Sequence, residues 1–132
     1  MALNRMNPDG MYTPNKGIYS QVVTSTGTTT VHIAGTVPFD EDANVVGVGD
    51  MKAQTCQILD NLRISLEAAG ALPADVVRIN VYTLNTDAYV ANGAPEVIAF
   101  FGDTKPSSTT VQVSRLVHPD WLVEIEATAV ID

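Results

Sequence analysis

Two carboxylates stand on one face of the strand predicted at the end of the chain. Residues 122–129 read LVEIEATA, so Glu124 and Glu126 alternate with apolar residues. This period of two is typical of a β-strand and places both carboxylates on one face, roughly 7 Å apart. A carboxylate in a cleft can orient a water molecule and take up its proton. Glu124 is therefore a candidate general base; the alternatives are a solvated side chain or a structural hydrogen-bond acceptor.

Other reactive side chains point to structural roles. Cys56 lies on the apolar stripe of a predicted helix, where a thiol packs in the core. His32 and His118 are isolated, which favours structural or surface positions. No histidine, cysteine and carboxylate cluster has metal-ligand spacing, and no Ser-His-Asp set or phosphate-binding glycine loop is present. The sequence therefore predicts no metal site.

Composition indicates one folded domain over residues 1–132. The hydrophobic fraction is 45% and the charged fraction 17%, a surplus of apolar side chains that favours an oligomer interface over a monomer. A single cysteine excludes an intrachain disulfide and suits the cytoplasm. We find neither an apolar window long enough to span a membrane nor a signal peptide, so the sequence predicts a cytoplasmic protein without a membrane partner.

The charge balance argues against nucleic-acid binding. The net charge is −8, which repels a phosphate backbone. The seven basic residues are scattered along the chain: Arg5, Lys16, Lys52, Arg63, Arg78, Lys105 and Arg115. Arg78 and Arg115 are the only arginines on predicted strands. Each is a candidate anchor for an anionic ligand, or else part of a surface or interface salt bridge.

The first half of the chain predicts mainly strands. Residues 1–18 contain two prolines and two glycines and are expected to form an irregular lead-in. Residues 19–25 and 28–34 are rich in β-branched side chains and predict a hairpin with its turn at Gly27. Residues 45–46 could add a short strand.

Two helices and three further strands follow. Asp50 is a plausible N-cap for the first helix, and Gly70 is well placed to end it. Residues 74–83 predict a strand. A second helix over 87–101 is expected to be broken near Asn92–Pro95.

The last two strands, within Lys105–Ile131, are expected to pair through a turn. Both helices should pack on one face of a single mixed sheet. Because no element is left to cover the other face, we expect a second copy of the protein there.

Several segments, taken in order, resemble the RidA family, also called YjgF and L-PSP. They are Tyr19-Ser20-Gln21 after Gly17, Val31–Gly35 followed by Val37-Pro38, Leu66–Gly70 followed by Asp75–Val77, and Val123–Ala127. The resemblance runs from about Gly17 to the end of the chain. It implies an α+β, chorismate-mutase-like fold assembled as a homotrimer around a central barrel, with three ligand clefts between subunits. It also implies hydrolysis of small imines and enamines such as 2-aminoacrylate to a keto acid and ammonia, without a metal or organic cofactor.

The resemblance also assigns site residues. Glu124 matches the glutamate that positions the attacking water. The candidate ligand-binding residues are Tyr19, Ala34, Gly35, Asn92, Ser108, Thr109, Thr110 and Arg115. Ser108 stands where the family's deaminases carry an arginine that holds the substrate carboxylate, and Thr110 stands where a cysteine is common. Asn92 lies only near the family's cleft asparagine.

Two classes of function follow, with a third less favoured. The first is a deaminase or hydrolase in which Glu124 orients water, acting on 2-aminoacrylate or, given Ser108, on a ligand that is neutral or anchored by another residue. The second is a non-catalytic trimer that binds a small metabolite as a signal. Ribonuclease or translation inhibition is disfavoured by the net charge of −8. Glu124→Gln should abolish turnover in the first class and change only affinity in the second.

Overall fold

The computed structural model describes residues 2–14 and 17–132. Its strands are β1 (Ala2–Met6), β2 (Val22–Thr26), β3 (Thr29–Thr36), β4 (Val76–Thr83), β5 (Ser107–Gln112) and β6 (Val123–Ile131). Its α-helices are α1 (Met51–Ala68), α2 (Thr86–Ala88) and α3 (Ala94–Phe101). A π-helical turn, Tyr89–Gly93, joins α2 to α3, and a 3₁₀ turn, Pro73–Asp75, precedes β4.

Four strands form a mixed sheet in the order β3-β6-β4-β5. The pairs β3–β6 and β6–β4 are antiparallel, whereas β4 and β5 run parallel. Residues 86–101, from α2 through the π-helical turn to α3, form one helical segment that we call the α2–α3 arm. Helix α1 and the α2–α3 arm share one apolar core with the sheet. This arrangement confirms the predicted α+β fold, a mixed sheet with two helical units packed on one face.

The alternation of β6 divides the sheet into two faces. Val123, Ile125 and Ala129 are at most 1% exposed and belong to the core beneath the helices. Glu124 and Glu126 point to the other face and are only half-buried. We call this second face the open face. The polar side chains on the open face of β6 are those that alternate in sequence with the buried apolar residues.

Helix α1 begins and ends where the sequence predicts. The Asp50 carboxylate accepts a hydrogen bond from the Ala53 backbone N–H at 3.0 Å, which satisfies a free donor of the first turn. Gly70 has a φ of 76°, and its N–H donates to the Glu67 carbonyl. The Ala71 N–H donates to the Leu66 carbonyl, which completes a Schellman motif.

The second helix is interrupted, as expected, but by a π-turn rather than a simple kink. Gly93 lies in that turn, where a β-carbon would stand 2.6 Å from Tyr89 Cδ1 and 2.8 Å from Thr55 Oγ1. Both neighbours are buried, so neither can move aside freely. Glycine at this position therefore lets the arm approach α1 closely.

Gly93→Ala is expected to lower the free energy of unfolding by about 1–3 kcal/mol, because the added methyl overpacks this contact. Urea denaturation measures the change. The matched control is Asn92→Ala, at the exposed neighbouring position, which should stay within about 0.5 kcal/mol of the wild type. Equal stabilities for the two variants would contradict the packing described.

The predicted hairpin between the first two strands is wrong. β2 pairs with β1, and β3 pairs with β6. A β-carbon on Gly27 would lie 2.7 Å from Val130 Cγ1 and 2.9 Å from the Ile131 carbonyl oxygen. The chain passes from one sheet to the other here, so Gly27 serves a close approach to β6 rather than a hairpin turn.

The irregular lead-in predicted for residues 1–18 also needs correction. Residues 2–6 form β1, and the Arg5 guanidinium fixes this strand by donating to the carbonyls of Ala74 and Lys105 at 2.7 and 3.2 Å. Lys16, one of the seven basic residues, lies outside the described residues. Residues 45–46 contribute only an isolated bridge between Val45 and Phe39.

The last two strands are not partners. β4 lies between β5 and β6, and β5 runs parallel to β4. A parallel pair requires a long crossover, which the α2–α3 arm supplies. The turn at Pro119–Asp120 therefore belongs to a longer connection across the sheet, not to a hairpin.

Candidate functional site

Glu124 lies against the backbone of β3 at a β-bulge. Ile33 pairs with Ala127 and Thr36 with Ile125, so β3 carries one extra residue between these pairs. Gly35 falls in this bulge, and a β-carbon there would lie 2.9 Å from the Glu124 carboxyl carbon. The absence of a side chain at Gly35 thus creates the space for the Glu124 carboxylate.

The Glu124 carboxylate is in an unfavourable electrostatic setting. Burial raises its pKa, and the neighbouring Glu126 carboxylate raises the pKa further. Within residues 2–14 and 17–132, no hydrogen bond or ion pair engages the Glu124 side chain. A carboxylate without a fixed partner and with a raised pKa is available to accept a proton.

Glu126, in contrast, is held through one of its carboxylate oxygens, Oε1. It accepts hydrogen bonds from Asn80 Nδ2 at 2.9 Å and from the Tyr82 hydroxyl at 2.7 Å. The hydrogen bond from Tyr82 to Glu126 is the main reason that the pKa of Tyr82 is raised. The sequence left the role of Glu126 open. The structure gives it a structural role, as the acceptor at the centre of an open-face network.

Arg78 extends the same network towards β5. Its guanidinium donates to Asn80 Oδ1 at 2.9 Å and to Thr109 Oγ1 at 2.6 Å. Together with His32, Ala34 and Glu126 it lines a hollow of about 420 Å³ on the open face. Arg78 is therefore held along the sheet by two neutral partners.

Gly35→Ala is expected to reduce activity more than stability. The β-carbon must displace the Glu124 carboxylate, but a flexible side chain end can move at low cost, so the free energy of unfolding should change by less than about 1 kcal/mol. If Glu124 acts as a general base, catalysis depends on the position of its carboxylate, and kcat/KM should fall by about tenfold or more. Ala34→Gly, one residue away in the same bulge, is the control. Parallel losses of activity in both variants would contradict this explanation.

The second group of predicted residues lies on the opposite edge of the sheet. Ser108 and Thr110 pair with Ile79 and Val81 in the parallel β4–β5 ladder, so they share the helix side of the sheet. Thr109 shares the open face and contacts Arg78. Residues 108–110 and Glu124 are therefore on strands separated by β4, and Ser108 and Thr110 face away from Glu124.

Tyr19 lies beside this second edge. The adjoining Ser20 is buried; its N–H donates to the Pro106 carbonyl at 3.2 Å and its hydroxyl to the Lys105 carbonyl at 2.8 Å. The Tyr19 hydroxyl lies 3.0 Å from the hydroxyl of Tyr12. The segment preceding β2 is thus tied to the start of β5.

Asn92 and Arg115 join neither group within the described chain. Asn92 lines a separate surface hollow with Asp50, Asn85 and Leu122. Arg115 is exposed in the connection that follows β5. Asn92 remains a prediction from the resemblance. Arg115 was predicted to lie on a strand, which is wrong because β5 ends at Gln112, and its role as an anchor remains a prediction.

Sequence reasoning missed the cluster that packs against the start of β6. Trp121 is 8% exposed and stacks on His118, with ring centroids 5.5 Å apart, while Phe39 packs edge-on against both rings. Gln54 is fully buried in α1; its Nε2 donates to the Asp120 carbonyl, and its Oε1 accepts from the Leu122 N–H, both at 2.8 Å. His118, expected at the surface, is half-buried in this cluster.

The described residues show neither a metal-binding group nor a membrane-crossing helix. Within 2–14 and 17–132, no three His, Cys, Asp or Glu side chains are grouped to hold a metal ion. In the same ranges no helix combines the length and apolarity needed to cross a bilayer.

The fold and the glutamate-bearing strand define a class: a small α+β domain with one helix-covered and one open sheet face. The model of the Endoribonuclease L-PSP family matches residues 13–131. The chain belongs to this family, which includes the RidA and YjgF proteins. Membership supports a role connected with small molecules.

Individual relatives agree with this assignment. A RutC family protein of Pyrococcus horikoshii is 40% identical over 114 residues, 86% of each chain. The crystal structure of a Rid family protein of unknown function, YyfB from Yersinia pestis, has a TM-score of 0.93 and 38% identity, covering 99% of this chain and 100% of that one. RidA from the Antarctic bacterium Psychrobacter has a TM-score of 0.72 and 32% identity over 86% of this chain and 87% of its own.

Proposed function

We propose that this protein hydrolyses small imines or enamines, with Glu124 orienting and deprotonating the attacking water. The observation that carries the proposal is the Glu124 carboxylate itself: it lies over Gly35, has a raised pKa and has no fixed partner among the described residues. An iminium carbon is already electrophilic, so one positioned base is sufficient for addition of water. Collapse of the resulting carbinolamine releases ammonia and leaves a carbonyl.

We further propose that the site lies between subunits of a homotrimer. Glu124 stands on β6 beside the β3 edge, whereas Tyr19 and Ser108 belong to the β5 edge, about 10–15 Å away at 4.8 Å per strand. These residues can act on one ligand if the β5 edge of one copy meets Glu124 of another. The half-buried polar open face would then be covered by the assembly.

The test is ammonia release from 2-aminoacrylate generated in situ by a dehydratase, with and without the protein. Ser108→Arg is assayed in parallel, since it restores the residue expected from the resemblance. Acceleration by the wild type supports hydrolysis of the family substrate. Acceleration by Ser108→Arg alone supports an intact site with a different natural ligand. Failure of both, with neutral imines tested alongside and also left unhydrolysed by a folded protein, would refute the proposal.

A metabolite-binding protein without turnover is the second candidate. Ser108 is the observation that favours it, because a hydroxyl cannot replace a bidentate guanidinium–carboxylate contact. In that case Glu124→Gln should alter the affinity for a ligand while no variant releases ammonia. Ribonuclease activity is assayed on the same preparation, and the net charge of −8 predicts none.

The pH dependence of kcat/KM should identify the base. Because burial and Glu126 raise the pKa of Glu124, activity should fall on the acidic side at a pH above about 4.3, the ordinary value for glutamate. Glu126→Gln removes the neighbouring charge and should move this limb to lower pH while preserving activity at neutral pH. A limb that does not move in Glu126→Gln would exclude Glu124 as the titrating group.

A further inference from the structure

Two opposite charges line the open-face hollow without contacting each other. Arg78 on β4 and Glu126 on β6 both border this space of about 420 Å³, a volume typical of small-molecule pockets. Within residues 2–14 and 17–132, no ion pair joins the two side chains. Asn80 stands between them, because its Oδ1 accepts from Arg78 and its Nδ2 donates to Glu126, both at 2.9 Å. The charges are thus held apart by the width of one carboxamide group.

Each charged group has hydrogen-bonding capacity left over. Arg78 makes both of its hydrogen bonds, to Asn80 and Thr109, through Nη2, and its Nε and Nη1 donate to no other residue of the described chain. Glu126 accepts from Asn80 and Tyr82 through Oε1, and its Oε2 accepts from none of the described residues. A guanidinium with only neutral partners favours an anion, and a free carboxylate oxygen favours a charged N–H donor.

The hollow is distinct from the site proposed around Glu124. Glu124 does not line it, and of the ligand-binding residues that the resemblance assigns, only Ala34 does. Glu124 is the next residue after Glu126 on the open face of β6, so two carboxylates make that side of the hollow negative. Arg78 leans towards Thr109 on β5 and makes the opposite side positive. The hollow therefore has a field that orients a dipolar molecule.

The ligand that fits must present an acceptor to Arg78 and a donor to Glu126, as the Asn80 carboxamide does. A carboxylate is the acceptor that a guanidinium can hold with two parallel hydrogen bonds, and an ammonium group is a charged donor for a carboxylate. A simple anion would be repelled by Glu126, and a simple cation by Arg78. An α-amino acid carries both charges on neighbouring carbons, a span close to that of a carboxamide.

We propose that the open-face hollow binds a small zwitterion of the α-amino acid type, with its carboxylate on Nε and Nη1 of Arg78 and its ammonium group on Oε2 of Glu126. His32 and Thr128 also line the hollow, and their side chains make no hydrogen bond within the described ranges, so they are available to the rest of the ligand. The competing occupant is a side chain of another copy that covers the open face. The zwitterion fits better, because one entering side chain carries only one charge and leaves the other uncompensated.

The test compares L-alanine with propionate and ethylamine, which carry only its carboxylate or only its ammonium group. Equilibrium dialysis gives the affinities, and NMR of the arginine Nε–H groups locates the ligand, since the Arg78 signal is identified by its loss in Arg78→Gln. L-Alanine should shift that signal and bind about tenfold or more tightly than either partial analogue, because each lacks one charge-assisted contact.

Two substitutions separate the two contacts. Arg78→Gln should weaken the binding of both alanine and propionate by about tenfold or more, because the guanidinium contact is lost. Glu126→Gln should weaken alanine binding but leave propionate bound equally well or more tightly, because it removes a charge that repels a carboxylate. Arg63→Gln, the same change on the exposed side of α1, is the matched control and should leave all affinities unchanged.

Alanine binding that neither Arg78→Gln nor Glu126→Gln weakens would place the ligand elsewhere and overturn the inference. Propionate binding as tightly as alanine, or no binding of alanine, would also overturn it. Weaker assembly of both variants in sedimentation, without alanine binding, would show instead that the charges pair between copies. Thermal unfolding checks that each variant is folded, and Arg78→Lys, which keeps the charge but loses the planar fork, should still bind alanine more weakly than the wild type. These measurements require no imine hydrolysis, so their outcome is independent of the proposed function.

Discussion

Glu124→Gln is expected to lower kcat/KM for imine hydrolysis by about 10²–10⁴-fold, the usual contribution of a positioned general base. Glutamine has nearly the same shape as glutamate but cannot take up the proton of the attacking water. The space over Gly35 should still accommodate it, and substrate affinity should change little. Steady-state kinetics of ammonia release provide the measurement, with Glu126→Gln as the matched control on the same strand. Activity of Glu124→Gln within twofold of the wild type would remove the basis of the mechanism.

The same substitution should not reduce stability at neutral pH. The pKa of Glu124 is raised in the folded chain, so folding favours its protonated form. Its contribution to stability is present below the ordinary glutamate pKa and is lost as the pH rises through the raised pKa. Glutamine is uncharged throughout, and the variant should therefore be at least as stable as the wild type at pH 7. Thermal unfolding at pH 4 and pH 7 separates this effect from misfolding, because the stability of the variant relative to the wild type should increase from pH 4 to pH 7.

Gln54→Leu is expected to have the largest effect on stability. The Gln54 side chain is fully buried. Its Nε2 donates to the carbonyls of Gly47 and Asp120, and its Oε1 accepts from the Leu122 N–H. Leucine fills a similar volume but leaves these three backbone groups without that partner. The Gly47 carbonyl keeps its hydrogen bond from the Asp50 N–H, so two groups are left unsatisfied. At about 1–3 kcal/mol for each, the free energy of unfolding should fall by about 2 kcal/mol or more.

The damage should begin at the segment before β6, where Trp121 gives a direct signal. Trp121 is the only tryptophan, and it is 8% exposed. Its fluorescence should shift to the red in Gln54→Leu under native conditions, and urea denaturation gives the change in stability. Gln57→Leu is the control, since Gln57 is half-buried on the same helix and its amide donates to the Phe39 carbonyl at 3.3 Å and to Asn61 Oδ1 at 3.0 Å, away from the start of β6. Equal destabilisation by both substitutions would show that the Gln54 contacts are not the cause.

The sequence predicted those features that depend on neighbouring residues. The alternation around Glu124 and Glu126 gave the faces of β6, and Asp50 and Gly70 gave the limits of α1. Pro95, with Gly93 before it, indicated the interruption of the second helix. Each of these depends on local backbone chemistry, which a single sequence records directly.

The pairing of strands could not be predicted in the same way. Residues 28–34 are equally suited to pair with β2 or with β6, and the choice depends on contacts about a hundred residues apart along the chain. A glycine at position 27 could indicate either a hairpin turn or close packing of the backbone against another strand. Only the position of Val130 in the structure distinguishes the two. The strand order therefore had to come from the structure.

The candidate site was predicted in part. The resemblance identified Glu124 and Gly35, which the structure brings together. The alternation alone did not distinguish Glu126, which accepts two hydrogen bonds, from Glu124, which has no partner among the described residues, because both lie on the same face. Gln54 carried no signal, since a polar residue on a helix is ordinary in sequence. Its importance comes from partners that are distant in the chain, the Asp120 carbonyl and the Leu122 N–H.

The most direct test of our central claim is a subunit-mixing experiment. Glu124→Gln lacks the base, and Thr110→Trp places a bulky ring on the exposed β5 edge; each variant alone should be inactive towards an imine that the wild type hydrolyses. If the site combines Glu124 of one copy with the β5 edge of another, random mixing at equal amounts gives both intact halves at about one site in four. Ammonia release should then recover to about a quarter of the wild-type rate after the subunits are dissociated and reassembled together. No recovery in mixed trimers would contradict a site shared between subunits.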